Sequence, residues 1–396
     1  VPIFDDAFRT NRRFAAAPPL ALLYAAVSAL VLCLCGAVLW RYGVRTGADT
    51  GRYVAAATQL LSGQWPTVEK STNYLGFVAV VAAVKALSGS TSPIVMVNAG
   101  ALALAGCAVV SLADRLFNRT AAVAAVILFA VNLELAFWSA YVLTDALYAS
   151  LVAASTLAML AAAESSSTRG YGVAIVLVVA TASVRPNGWL LVPIALVFWI
   201  GAGSRTRLAL ASAGVLVVTL AAATLIPALT QGVASESPEQ SLVNGAVLWG
   251  SPVWKRTMPA AASMPQSWLE GGTYVLQHPV PSVLLAVTRV GVEVAHVRPY
   301  YSLAHNALVC ATYLPLYALA VAGAWFAWSA VQTRLVVSII GAHLALVGLT
   351  FADYDGRFIL YVVPLLTLLA AGGLGRLIDD WSWRRIRTAD NVKVGV

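Results

Sequence analysis

A few ionisable residues stand where apolar runs begin or end, and their types suit acid–base chemistry beside a phosphate. Asp49 lies in Gly47-Ala48-Asp49-Thr50-Gly51-Arg52-Tyr53, and Glu69-Lys70 comes shortly before Tyr74. Asp145 follows Tyr141-Val142-Leu143-Thr144, Arg185 opens Arg185-Pro186-Asn187-Gly188, and Arg357 ends Asp353-Tyr354-Asp355-Gly356-Arg357. A carboxylate can take the proton of a hydroxyl nucleophile. Arg and Lys can neutralise phosphate oxygens, Arg through a planar fork that matches them. Each residue also has a plainer reading. Asp49 and Asp145 suit the N-caps of the helices that follow them, and for Asp49 both readings can hold together. Arg185 is a catalytic cation in a wet cavity or an Arg snorkelling to the surface. Arg357 binds an anion or pairs locally with Asp353 or Asp355.

The rest of the chain must position these residues in a membrane. Of 396 residues, 60% are hydrophobic and only 11% charged, with mean hydropathy +0.81, where a soluble domain carries roughly 25% charged residues. The composition predicts an all-α polytopic membrane protein. The net charge of +8 reads as orientation and lipid contact, with no nucleic-acid partner. Cys33, Cys35, Cys107 and Cys310 sit inside apolar runs as packing residues, and the scattered His278, His296, His305 and His343 form no metal-ligand cluster.

Arg9, Arg12 and Arg13 precede the first apolar run, Leu20 to Trp40, and place the amino terminus in the cytoplasm. No cleavable signal peptide is evident. Tyr74 to Leu87 is short for a span and contains Lys85, so it reads as a helix on the outer surface. The spans that follow are then Pro93–Ala113, Thr120–Ser139, Asp145–Ala163, Tyr171–Val184, Gly188–Ile200, Leu208–Leu229, Ala304–Ala327, Leu335–Phe351 and Phe358–Leu374. With the first, this predicts about ten spans in a plasma or inner membrane, both termini cytoplasmic and every short basic loop on one side. Residues 1–396 read as a single domain with long external loops at 41–92 and 230–303. The external face collects Asp49, Glu69, Lys70, Asp145, Arg185, His278, Arg289, Arg298, Asp353, Asp355 and Arg357. Ionisable groups at membrane depth are candidates for function. A transporter or flippase predicts charges in mid-span and a repeat relating the halves; the spans are nearly free of acids and bases, the charges cluster at one face, and no repeat is seen. A non-enzymatic scaffold for envelope glycan export, or a glycan polymerase or ligase, remains the alternative. The set suits transfer of a sugar from a lipid phosphate, with the spans supplying a groove for the lipid.

The order of parts resembles the GT-C integral membrane glycosyltransferases, in particular the branch of protein O-mannosyltransferases and lipid A aminoarabinose transferases. The matching pieces are Asp49 to Tyr53, Glu69-Lys70, Asp114-Arg115 with Arg119, and Leu143-Thr144-Asp145. Arg185 to Gly188, Gln277-His278-Pro279 leading to Arg289, and Gly356-Arg357-Phe358 with Pro364 complete the set. Two features depart from the branch: Thr50 stands where a second acid is common, and Ser71-Thr72-Asn73 replaces a proline-rich stretch. The chain also lacks the large carboxy-terminal external domain of many relatives. The resemblance implies a polyprenyl-phosphate sugar donor, an envelope lipid, glycan or protein acceptor, inversion at the sugar carbon, and no metal or other cofactor. It implies Asp49 as general base, Lys70 and Arg357 on the donor phosphate, and Asp145 positioning the acceptor or the first-loop helices. Arg185 and His278 are then further pocket residues, with Glu69, Tyr74, Arg289, Arg298, Asp353 and Asp355 as candidates for the pocket wall.

Overall fold

The computed structural model describes residues 18–68, 71–202, 238–249, 251, 254–261, 263–265 and 267–393. Among them the regular structure is helical, and strand pairing is limited to isolated bridges. The long helices are α1 (Leu20–Tyr42), α4 (Ile94–Leu116), α7 (Asp145–Ser165), α13 (Leu303–Phe326), α14 (Val331–Leu349) and α15 (Val363–Lys393). Between them lie α2 (Thr50–Leu61), α3 (Leu75–Ser88), α5 (Arg119–Ala130), α6 (Leu133–Ser139), α8 (Thr168–Val184) and α9 (Leu191–Ala202). The late loop contributes α10 (Pro238–Val243), α11 (Trp268–Gln277) and α12 (Pro279–Ala295).

Burial follows from what each helix faces. Helix α1 is apolar all round but buries only the i, i+4 stripe Leu23, Val27, Val31 and Cys35. Leu22, Leu30 and Leu32 stay exposed, as on a helix facing lipid. Helices α4 and α7 are buried on most sides and form the centre. Small residues permit close backbone approach, a common device between membrane helices. A Cβ on Gly323 of α13 would lie 1.9 Å from the Leu369 carbonyl of α15, and one on Gly373 would lie 2.2 Å from that of Leu319.

Six helical segments are long and apolar enough to cross a membrane, or up to eight if two bent pairs each count as one span. The expected Thr120–Ser139 span is one of the bent pairs: α5 and α6 meet at 53°. The Asn132 side chain caps α6 by accepting from the Leu135 N–H at 3.1 Å, which starts a new helix where a continuous one was expected. The run expected to lie on the surface, Tyr74 to Leu87, joins a 3-10 turn to form Ser71–Ser88, which qualifies by length and composition. The expected Leu208–Leu229 span lies outside the described residues. The last span does not start helical at Phe358; a 3-10 turn, Arg357–Tyr361, precedes α15.

Candidate active site

Polar residues gather at one end of the bundle. At the other end, Arg119 pairs with Asp114 at 2.8 Å and Arg115 with Glu164 at 3.1 Å. At the site end the first loop is tied to the segment before α7. The Arg45 N–H donates to the Ala140 carbonyl at 2.9 Å, and the Val142 N–H donates to Arg45 at 3.0 Å. The Asn98 amide of α4 anchors the same segment through the Tyr141 carbonyl at 2.9 Å. Thr50 accepts from the Gly47 N–H at 2.9 Å and donates to the Val142 carbonyl at 3.1 Å. Thr50 therefore closes the turn into α2, and Asp49 makes no capping hydrogen bond. The Asp49 carboxylate pairs with Arg52 at 3.4 Å and keeps 31% of its side chain exposed.

Asp145 does not cap α7 either. Its Oδ1 accepts from the Tyr361 hydroxyl at 2.7 Å and from Arg185 Nη1 at 3.2 Å, while the same nitrogen donates to Thr144 Oγ1 at 2.7 Å. Asp145 Oδ2 is buried and accepts no hydrogen bond; Arg357 Nη1 lies 4.0 Å away. Arg185 sits in an aromatic box, 4.6 Å from the Tyr361 ring, 5.5 Å from Phe358 and 6.0 Å from Tyr74. Tyr53 closes the box from α2, 5.4 Å from Tyr74 and 5.0 Å from Phe77. Arg185 is a buried, fully engaged cation, so the snorkelling alternative does not apply.

Arg357 has the local partner weighed as its plain reading. Its Nε and Nη2 donate to Asp353 Oδ2 and Oδ1 at 3.1 and 2.9 Å. Asp353 Oδ2 also accepts the backbone N–H groups of Asp355 and Arg357. Burial works against ionisation of Asp353, but the charge and hydrogen bonds of Arg357, with help from Arg185, hold its pKa below the ordinary value. Asp355 has its pKa raised by burial and by the Asp353 charge. The pairing leaves Nη1 of Arg357 turned toward Asp145, with the guanidinium 5.5 Å from the Trp138 ring. Beside Tyr361 lies a small cavity of about 10 Å³, lined by Tyr148, Asn187, Leu191, Ile194 and His343 among others.

The structure thus brings together Asp145, Arg185, Asp353, Arg357 and Tyr74, with Asp49 at the edge beyond Tyr53. Arg289 and Arg298 are at different work. Arg289 donates to the carbonyls of Ser241, Ala246 and Gly348 at 2.9, 2.8 and 3.1 Å. Arg298 donates to those of Val292, Asp353 and Tyr354 at 2.7, 3.1 and 3.1 Å. Both guanidiniums hold backbone rather than lining a pocket. His278 stands at the 110° corner between α11 and α12, its ring 4.8 Å from Tyr274. Asp355 turns its carbonyl to the Tyr301 hydroxyl at 3.0 Å. Glu69 and Lys70 lie outside the described residues.

Three side chains in or around the cluster went unnoticed in the sequence. Tyr361 follows Arg357 by one turn of the 3-10 segment. Glu293 of α12 is fully buried and accepts the backbone N–H groups of Asp353 and Ile359 at 2.8 and 2.9 Å. Glu134 of α6 accepts from Tyr313 at 2.8 Å and pairs with His296 at 2.8 Å. A lone acid inside an apolar run was the available signal for Glu293 and Glu134.

Residues 75–230 match the family model described as dolichyl-phosphate-mannose-protein mannosyltransferase. No curated protein matches the chain in sequence. Among solved structures, the Archaeoglobus fulgidus oligosaccharyltransferase in its apo form has a TM-score of 0.57 at 14% identity, over 93% of this chain and 52% of that one. The same oligosaccharyltransferase, tethered through a disulfide to an acceptor peptide containing the NVT sequon, gives 0.55 at 14% identity, over 91% and 50%. The chain spans about half the length of these structures. The chain has the GT-C fold, that of a multi-pass integral membrane protein. With the mannosyltransferase-family match over residues 75–230, the fold supports a GT-C membrane glycosyltransferase.

Proposed function

We propose that the protein transfers a sugar from a polyprenyl-phosphate donor to a hydroxyl of an envelope lipid, glycan or protein, at the external face of the membrane. Asp49 takes the acceptor proton. The acceptor oxygen attacks the anomeric carbon from the side opposite the phosphate, and the bond from that carbon to the phosphate oxygen breaks with inversion. The leaving polyprenyl phosphate carries away the electron pair, and Arg357 with Lys70 neutralises its charge. Asp145 and Tyr361 orient Arg185 and limit the freedom of Arg357. No step calls on a metal ion.

The observation that carries the reading is the state of Asp49. It stands at a helix N-terminus without capping it, partly exposed, at the rim of a buried cluster containing two guanidiniums. A carboxylate needed only for the helix would be bonded to it. The test is Asp49→Asn, assayed by transfer of labelled sugar from polyprenyl phosphate in proteoliposomes, beside mass spectrometry of envelope glycans with and without the gene. Asn cannot accept the proton, so transfer is expected to vanish while thermal stability is kept. A variant retaining a tenth or more of wild-type turnover refutes the role of Asp49.

A further inference from the structure

The late loop carries a second cationic feature that the transfer reading does not use. Gly245 to Val247 and Trp254 to Arg256 pair as the two arms of a hairpin, in which Val247 N–H donates to the Trp254 carbonyl at 2.9 Å and Arg256 N–H to that of Gly245 at 2.8 Å. Ala246 and Lys255 pair across it. The hairpin holds Lys255 and Arg256 over a cleft floored by Val247 and Trp254 and walled by Thr288 of α12. Both cations are exposed. Among the described residues neither has an acidic partner.

Helix α12 decides what covers this cleft. One face buries Leu285, Arg289 and Glu293. Another exposes Val280, Val283, Leu284 and Val287, between 43% and 67% accessible, and α11 adds Leu269 and Leu276 at 81% and 83%. Such a contiguous apolar face belongs in lipid or at its boundary. Thr288 adjoins that face, so the cleft opens where apolar surface gives way to polar. Paired cations and a Trp at such a boundary complement an anionic headgroup, the Trp ring being at home in that layer.

We propose that this cleft binds the phosphate headgroup of an anionic phospholipid, with Lys255 and Arg256 on the phosphate and the acyl chains along the exposed face of α12. The site is separate from the Asp145 cluster but joined to it by backbone. The Ala352 N–H donates to the Val247 carbonyl at 2.9 Å, and the Trp249 N–H donates to Ala352 at 3.0 Å. The neighbouring residue is Asp353, which holds Arg357. A bound headgroup therefore fixes the hairpin from its outer side, beside the loop that sets the Arg357 fork.

The test is native mass spectrometry of the full chain in detergent, titrated with phosphatidylglycerol or phosphatidylcholine. The wild type is expected to retain phosphatidylglycerol preferentially. The K255Q/R256Q variant should lose that preference by about tenfold or more, since each cation near an anionic headgroup contributes on the order of a kilocalorie. Arg334→Gln, which removes another exposed cation, should keep it. If the double variant melts early, K255R/R256K decides instead and must retain the lipid. No preference in the wild type, an unchanged preference in K255Q/R256Q, or displacement of the lipid by millimolar inorganic phosphate overturns the proposal. The readout is binding, so it stands or falls apart from the transfer reaction.

Discussion

Replacing Glu293 by Gln is a change of one atom whose cost follows from the hydrogen bonds around it. Glu293 is completely buried, and its two oxygens accept separate backbone N–H groups, from Asp353 at 2.8 Å and Ile359 at 2.9 Å. Two donors facing two oxygens require the ionised carboxylate. The amide of Gln offers one acceptor oxygen, and its NH2 must then face the other N–H. One backbone donor and one side-chain donor lose their partners in a buried place, at about 1–3 kcal/mol each. Partial relaxation sets a working expectation of about 2–4 kcal/mol, which is roughly 30- to 1,000-fold in the local opening equilibrium. The loop from residue 350 to residue 359 is where the loss should appear. Amide hydrogen–deuterium exchange of the purified chain is the assay, read at peptides covering Asp353 and Ile359. Exchange there should speed up by that factor, while peptides from α4 and α7 keep wild-type rates. Exchange within twofold of wild type across the loop would refute the reasoning, because Glu293 would then not be an ionised anchor.

Tyr361→Phe keeps the ring under Arg185 but removes the hydroxyl that donates to Asp145 at 2.7 Å. A hydrogen bond to a charged group is worth about 1.5–3 kcal/mol, so transfer should fall roughly tenfold to a hundredfold with near-normal expression; unchanged turnover would remove Tyr361 from the site. Arg357→Lys cannot reproduce the two bonds to Asp353 and also direct a donor at Asp145. Calorimetric titration with a polyprenyl phosphate should show weakening by about 2–4 kcal/mol, and wild-type affinity in the Lys variant would show that the phosphate binds elsewhere.

The residues of the cluster were readable in the sequence to the extent that charge is conspicuous in an apolar chain. Asp145, Arg185 and Arg357 each open or close an apolar run, and the fold brings them together. What each touches was not readable. Tyr361 lies 216 positions from its partner Asp145, and no local pattern announces such a contact. Arg289 and Arg298 looked like residues of the pocket wall because their types are visible while their acceptors, backbone carbonyls, are not. Thr120 to Ser139 looked like one span because mean hydropathy ignores a cap; Asn132 and Glu134 carried the information that the helix breaks there. The Asp49 alternatives were separated by its side chain, which makes no cap bond and pairs with Arg52 instead.

Arg289 and Glu293 of α12 and Arg298 just beyond it lie within a few turns of chain, and each takes at least one partner from residues 348–359. That arrangement sets an order of assembly. During synthesis these side chains appear before α14 and the loop that follows it have been made, so Glu293 has neither of its backbone donors yet, Arg298 lacks the carbonyls of Asp353 and Tyr354, and Arg289 lacks that of Gly348. Until then water must solvate the Glu293 carboxylate, and the late loop has no means of closing over the bundle. The contacts of Arg45 and Thr50 with residues 140–142 form from chain made much earlier. The half of the cluster holding Asp145 therefore forms first, and the half holding Arg357 is added when the last helix docks. A chain stopped before residue 348 should carry the first half without the second. Defects in α12 should surface as late, incompletely closed protein rather than as failure of the spans to insert.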